Sequence, residues 1–336
     1  MTDPVLIEVL RGNLVESRHR GAVAVADADG AAVLALGDVA APIFPRSAVK
    51  ALQALPLVES GAAARYRLDD EELALACASH SGEPAHVAGV ERMLAKANLT
   101  PQALACGVHW PLSQAAAIAL ARSGAPSVLH NNCSGKHAGF LCVACALGVD
   151  HADYWRPGHR VQREVHAVLE ALSGVTLTPE SCAIDGCSVP TWAIPLQNLA
   201  LAFARFGTGH GVSPERANAA ARLRQACAGK PWFVAGTGRF CTELIGLFGA
   251  RVYLKTGAEG VCCGALPERG LGIAIKCDDG AGRAAEAVMA ALLARLMPLA
   301  EAEREALARF SHPVLRNWNG IEVGALRPSA AIEAAR

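Results

Sequence analysis

Arg46-Ser-Ala-Val-Lys-Ala-Leu-Gln-Ala-Leu-Pro-Leu-Val-Glu-Ser-Gly61 is the stretch at which the chain changes character. Before it, three runs alternate apolar and polar residues as strands do: VLIEVLRG from Val5, GAVAVADADG from Gly21 and AAVLALGD from Ala31. Asp27-Ala-Asp-Gly30 reads as the turn of a hairpin between the last two. Within the stretch, Val49, Leu52, Leu55 and Leu57 fall near helical spacing, and helical patterns then dominate for some two hundred residues, roughly one domain's length. Strand-like runs return in ARVYLKTGAEGVCCGALPERGLGIAIKCDDG, followed by two helices and a last edge strand in VLRNWNGIEVGAL. Strands, many helices, then strands predict a mixed α/β (α+β) fold. Its antiparallel sheet is built from both chain ends and flanked by helices. The expected division is a sheet lobe over 1–60 plus 230–336 and a mainly helical lobe over 61–229.

Ser47 has two readings. As a helix N-cap its hydroxyl would only satisfy a backbone N–H. As a nucleophile it would use Lys50, because residues i and i+3 share a helix face and an amine there can take a hydroxyl proton. Ser-x-x-Lys is short, and alone it decides little.

The chain has 336 residues and a formal net charge of zero, with a sequence pI near 7.1. No block of like charge occurs, which argues against nucleic acid or an anionic membrane as partner and favours a small neutral or zwitterionic ligand. The N-terminal apolar run is short and carries Glu8 and Arg11, so it reads as neither a secretory signal nor a membrane span, and a cytoplasmic protein is expected. The twelve cysteines sit in apolar or motif contexts rather than in a disulfide framework, so most are expected as buried thiols. Lysine occurs only at 50, 96, 136, 230, 255 and 276. Where arginine supplies most positive charge, a retained lysine points to a role arginine cannot fill, such as losing its proton in a buried site.

His130-Asn-Asn-Cys-Ser-Gly-Lys-His-Ala-Gly-Phe140 gathers imidazoles, amides, a thiol and an amine in eleven residues. It reads as a loop entering a helix near Gly135, which puts Cys133, Lys136 and His137 at the positive helix end. That position favours a Cys133 thiolate and disfavours a proton on Lys136. Asp185-Gly-Cys187 is a polar turn whose carboxylate and thiol could converge on the same point as Cys133, although spacing alone favours an Asx-turn beside a packed thiol. By spacing alone, Cys133, His137 and Cys187 are the first guess for a metal site. Ser79-His-Ser-Gly82 is a polar turn leaving an apolar helix, and it faces either a pocket or solvent. Cys106, His109 and Trp110 lie in a loop and are left without a role. Gly236-Thr-Gly238 lacks the lysine context of a phosphate loop.

Taken together, Ser47-Ala-Val-Lys50 and Lys255-Thr-Gly257 resemble elements of the serine β-lactamase, penicillin-binding protein and glutaminase superfamily. Five longer strings, RSAVKALQ, LACASHSGE, HNNCSGKHAGFL, DGCSVP and AGTGRFCT, resemble the signatures of the rhizobial-type, zinc-containing asparaginases, or asparaginase II, across nearly the whole chain.

That resemblance implies an L-asparaginase acting on L-asparagine through an acyl-enzyme. Its two Ser–Lys tandems fall on Ser47 with Lys50 and on Ser79 with Lys255. It implies zinc held by Cys133, Lys136 and Cys187, a choice that replaces the spacing-based guess of His137. Arg46, His137 and Asp185 become substrate-binding or supporting residues, Cys241 lies in a motif without a role, and a homodimer is expected. The alternatives are a glutaminase or another small-amide hydrolase, a β-lactam-directed enzyme, which would be exported, and a non-catalytic zinc- or amino-acid-binding protein, which would have no need of two Ser–Lys pairs.

Overall fold

The structure is a computed structural model that describes residues 2–334. The N-terminal strands are β1 (Val5–Arg11), β2 (Leu14–Asp27) and β3 (Ala32–Leu36). A small hairpin follows mid-chain, β4 (Cys182–Ile184) with β5 (Pro190–Trp192). The C-terminal strands are β6 (Tyr253–Thr256), β7 (Val261–Leu266), β8 (Leu271–Cys277), β9 (Val314–Arg316) and β10 (Glu322–Pro328). The main sheet runs β9-β10-β1-β2-β8-β7-β6, with β3 added to β2, and every pairing is antiparallel.

β10 pairs β1 from Ile7↔Pro328 to Arg11↔Gly324, so the two chain ends close one sheet. β2 is longer than the sequence pattern predicts: its first half pairs β1 and its second half pairs β8 and β3. The 27–30 turn forms as expected, with the Asp27 carboxylate accepting the N–H groups of Asp29 and Ala31. The last segment is a hairpin in which β10 is internal and only β9 lies at the edge.

Helices cover both faces of the sheet. Gly272 on β8 lets helix Leu196–Thr208 lie directly on the strand, since a Cβ there would meet the Ala200 carbonyl at 2.0 Å. Gly264 pairs with the neighbouring Ile273, points to the other face, and meets Met289 of helix Gly282–Leu296. Leu196, Leu199, Phe203 and Phe206 are fully buried at helical spacing, each contributing about 2 kcal/mol by the usual area relation.

Three helices position the site. Helix α1 (Asp70–Ala76) starts with a capping box between Asp69 and Glu72 and ends just before Ser79. Helix α2 (Pro84–Lys96) leaves the segment that follows. Helix α3 (Ser134–Ala146) is buried almost throughout and passes close to the end of α1: a Cβ on Gly135 would lie 2.4 Å from the Leu75 carbonyl. Glycine at 135 is therefore what sets the start of α3 beside Ser79. Ser47 is not a helix cap. It lies within a 3₁₀ turn, Arg46–Val49, whose preceding cap residue is Pro45, and that turn feeds a short helix at Lys50–Gln53.

Candidate active site

At the meeting point of α1, the short Lys50 helix and β6, Ser79 Oγ lies between two amines. Lys50 Nζ is 2.9 Å away and Lys255 Nζ 3.0 Å away. Both lysines are buried, and Ser79 is barely exposed. Lys50 also donates to the carbonyls of Ala78 (2.6 Å) and Asn132 (3.4 Å), and Lys255 to that of Thr256 (2.8 Å). Burial is the main reason the Lys255 ammonium is pushed down to about 8. The Lys50 and Arg239 cations push the same way, and the Cys241 and Cys133 sulfurs oppose them. An amine that loses its proton at mildly alkaline pH against a serine hydroxyl is a competent general base.

Ser47 is half-buried, and among the described residues its Oγ has no hydrogen-bond partner. Among the described residues its backbone N–H has no hydrogen-bond acceptor either. The structure thus joins Lys50 to Ser79 rather than to Ser47, although Ser47 lies three residues before Lys50 on the same turn. Gly257 lets the Lys255 strand run against this turn, because a Cβ there would lie 2.7 Å from the Pro45 carbonyl and 3.2 Å from the Ala48 nitrogen. The turn is strained at Arg46, a non-glycine residue with φ of 51°. Arg46 is held by an ion pair from Nε to Asp185 Oδ1 at 2.5 Å.

Asp185 connects this turn to a sulfur cluster. The β4–β5 turn brings Cys187 Sγ to 3.6 Å from Asp185 Oδ2 and 3.0 Å from Lys136 Nζ, while Cys133 interacts directly with Cys187. The bond from Cys187 pushes Cys133 down, against burial and with help from Lys50 and Lys136. The same bond, together with burial, pushes Cys187 up. Burial would lower Lys136, but Cys187, Cys133 and Asp185 outweigh it and hold the amine above the ordinary lysine range. The expectation that the helix end strips the proton from Lys136 is therefore corrected: two sulfurs and a carboxylate at close range act more strongly than the helix terminus.

His137 belongs elsewhere. Its Nδ1 lies 2.6 Å from Tyr154 Oη, which also accepts the Ala105 N–H. Tyr154 therefore donates to Nδ1, leaving Nε2 protonated and, among the described residues, without a partner in a fully buried ring. Burial, followed by Lys136 and Lys50, drives its pKa well below the usual value, so the imidazole is neutral. Among the described residues no three His, Cys, Asp or Glu side chains form a metal-binding group, which overturns the spacing-based triad of Cys133, His137 and Cys187. The donors that do converge are two sulfurs and the Lys136 amine, a set that suits zinc once the amine is neutral.

Sequence reasoning passed over three side chains at this site. Asn132 Oδ1 lies 3.1 Å from Cys133 Sγ and 3.5 Å from Lys50 Nζ, although the Asn-Asn pair marked it as polar. His109 meets Asn132 from a loop some twenty residues away. Arg239 reaches Ser81 Oγ at 3.3 Å and, among the described residues, has no carboxylate within ion-pair distance. Its sequence signal was a place in the AGTGRFCT string, directly after the glycine-rich turn. Cys241, two residues on, contacts Thr256 beside Lys255 at 3.4 Å.

Residues 7–328 match the model of the L-asparaginase II family. The chain belongs to that family. As an L-asparaginase II family member it is an amidohydrolase. No curated protein matches it. Among solved structures, it is similar to a β-lactamase from Mycobacterium bovis at 15% sequence identity, with 83% of this chain and 95% of that one covered and a TM-score of 0.39. No helix among the described residues is long and apolar enough to cross a membrane.

Proposed function

We propose that this family member hydrolyses the side-chain amide of L-asparagine to L-aspartate and ammonia through an acyl-enzyme on Ser47. The observation that carries the reading is Ser79 Oγ between Lys50 and the lowered Lys255 amine, with Ser47 three residues before Lys50 on the turn that leads into its helix. Neutral Lys255 takes the Ser79 proton, Ser79 takes one from Lys50, and Lys50 takes the Ser47 proton. Ser47 Oγ then bonds to the carboxamide carbon, with the Ser47 N–H as one oxyanion donor. Proton return along the same chain releases ammonia as the C–N bond breaks, and water cleaves the aspartyl ester with Lys255 again as base. A second reading, direct attack by Ser79, is favoured by the contacts Ser79 alone makes to both lysines. In the relay reading these same contacts make Ser79 the proton carrier between Lys255 and Lys50.

Arg46 and Arg239 offer cations to the substrate carboxylate and Asp185 an anion to its ammonium, while the buried Nε2–H of His137 is a donor without an acceptor among the described residues. Cys133, Lys136 and Cys187 would hold zinc. Bound there, zinc supplies a fixed positive charge that polarises or orients a nearby oxygen. A homodimer is the proposed assembly. The test is ammonia release from asparagine and glutamine by the parent, Ser47→Ala and Ser79→Ala. Loss in Ser47→Ala with a covalent aspartyl adduct on Ser47 in the parent supports the relay. An adduct on Ser79 supports direct attack, and a parent silent on both amides refutes the asparaginase reading.

A further inference from the structure

We infer that His109 is a positioning residue that sets which way round the Asn132 amide stands between Lys50 and Cys133. The inference rests on the amidohydrolase site described above. His109 Nδ1 lies 2.6 Å from the Trp110 carbonyl, an acceptor only, so Nδ1 carries the ring proton. The Asn132 backbone N–H, a donor only, points at Nε2 from 2.9 Å, so Nε2 is bare. Two main-chain groups therefore determine the tautomer. A bare Nε2 then requires a donor from the Asn132 side chain, 3.1 Å away, and that donor is the Nδ2 amine. The opposite end, Oδ1, is consequently turned toward Lys50 Nζ and Cys133 Sγ.

The orientation matters because the two ends of an amide are nearly identical in shape and opposite in hydrogen-bonding sense. Turned round, Asn132 would present N–H groups to the Lys50 ammonium and remove one of its acceptors, leaving Lys50 held by Ala78, Ser79 and the Asn132 carbonyl. At the other end of the amide Lys50 Nζ, a donor, favours the same orientation from 3.5 Å, so His109 and Lys50 hold Asn132 from opposite sides.

The surroundings of His109 argue against a mere packing role. It lies in the surface loop Gly107–Ser113, whose Val108, Trp110 and Leu112 are about half exposed. The helix that follows, Gln114–Ser123, buries none of its residues. The loop is fastened without the imidazole, since Asn131 Nδ2 donates to the carbonyls of Cys106 and Gly107, and Asn131 Oδ1 accepts the Cys133 N–H. His109 is thus a surface-loop side chain whose Nε2 is turned inward to Asn132, beside the reacting lysine.

The experiment pairs a double-mutant cycle with nitrogen NMR. His109→Phe should lower kcat about tenfold or more with KM little changed, and His109→Gln, whose Oε1 can stand in for Nε2, should recover most of that loss. Because His109 acts through Asn132, His109→Phe/Asn132→Ala should be no slower than Asn132→Ala alone. In ¹⁵N spectra of the parent, His109 should show a protonated Nδ1 and a bare Nε2 whose resonance shifts in Asn132→Ala. Additive losses, a Gln variant as impaired as Phe, parental rates in His109→Phe, or a protonated Nε2 would each overturn the inference. The NMR result does not depend on turnover, so a parent inactive on both amides would refute the asparaginase reading while the tautomer still decides this one.

Discussion

Replacing Lys255 by methionine should abolish turnover and stabilise the protein at neutral pH. Lys255 is buried, and its amine is lowered from 10.5 to about 8. At about 1.4 kcal/mol per pH unit of difference, carrying the charge costs the fold about 3 kcal/mol. The sign follows from proton counting. With the folded pKa below the unfolded one, the unfolded chain binds more protons between pH 8 and 10.5, so stability rises with pH across that window. Below it the full cost is present, and above it the cost vanishes.

Lys255→Met removes the charge but leaves the Thr256 carbonyl and Ser79 Oγ each without one donor, at about 1 kcal/mol apiece. The net gain at pH 7 is about 1 kcal/mol, turning into a loss of about 2 kcal/mol by pH 11. Urea denaturation of parent and variant at matched pH values measures this, and their difference removes other titrating groups common to both. In the parent, the neutral fraction of Lys255 rises about tenfold between pH 7 and 9, so kcat/KM should rise about tenfold if it is the base. A stability difference that does not change with pH, or activity retained in Lys255→Met, would refute the reasoning.

Gly257→Ala should force the Ser47 turn away from β6, because its Cβ would lie 2.7 Å from the Pro45 carbonyl; a loss of about 1–3 kcal/mol in stability and a lower kcat are expected from denaturation and kinetics. Arg239→Ala should raise KM for asparagine about tenfold or more with a smaller change in kcat, and parental KM would remove Arg239 from carboxylate binding. Cys187→Ser and Lys136→Met should each lower the zinc retained after purification and dialysis, measured by elemental analysis; full retention in both would exclude this ligand set.

Strand alternation at both chain ends and helical periodicity between them were legible in the sequence, because each depends on neighbours two to four residues apart. The candidate residues Ser47, Lys50, Ser79, Lys255, Cys133, Lys136, Asp185 and Cys187 all stood in motif stretches of the sequence. The sequence by itself therefore determined the order of elements and the supply of amines, thiols and hydroxyls. Tertiary structure alone decided which of them meet. It placed Lys50 against Ser79 by bringing the short Lys50 helix to the end of α1, and it turned His137 to Tyr154 and away from the sulfurs. It also set the charge preferences of Lys255 and Lys136, two buried amines driven in opposite directions. The physical reason is that desolvation and Coulomb interaction depend on distances between residues far apart in the chain. At Lys255 burial, helped by two cations, outweighs the nearby sulfurs, whereas at Lys136 two sulfurs and a carboxylate outweigh burial.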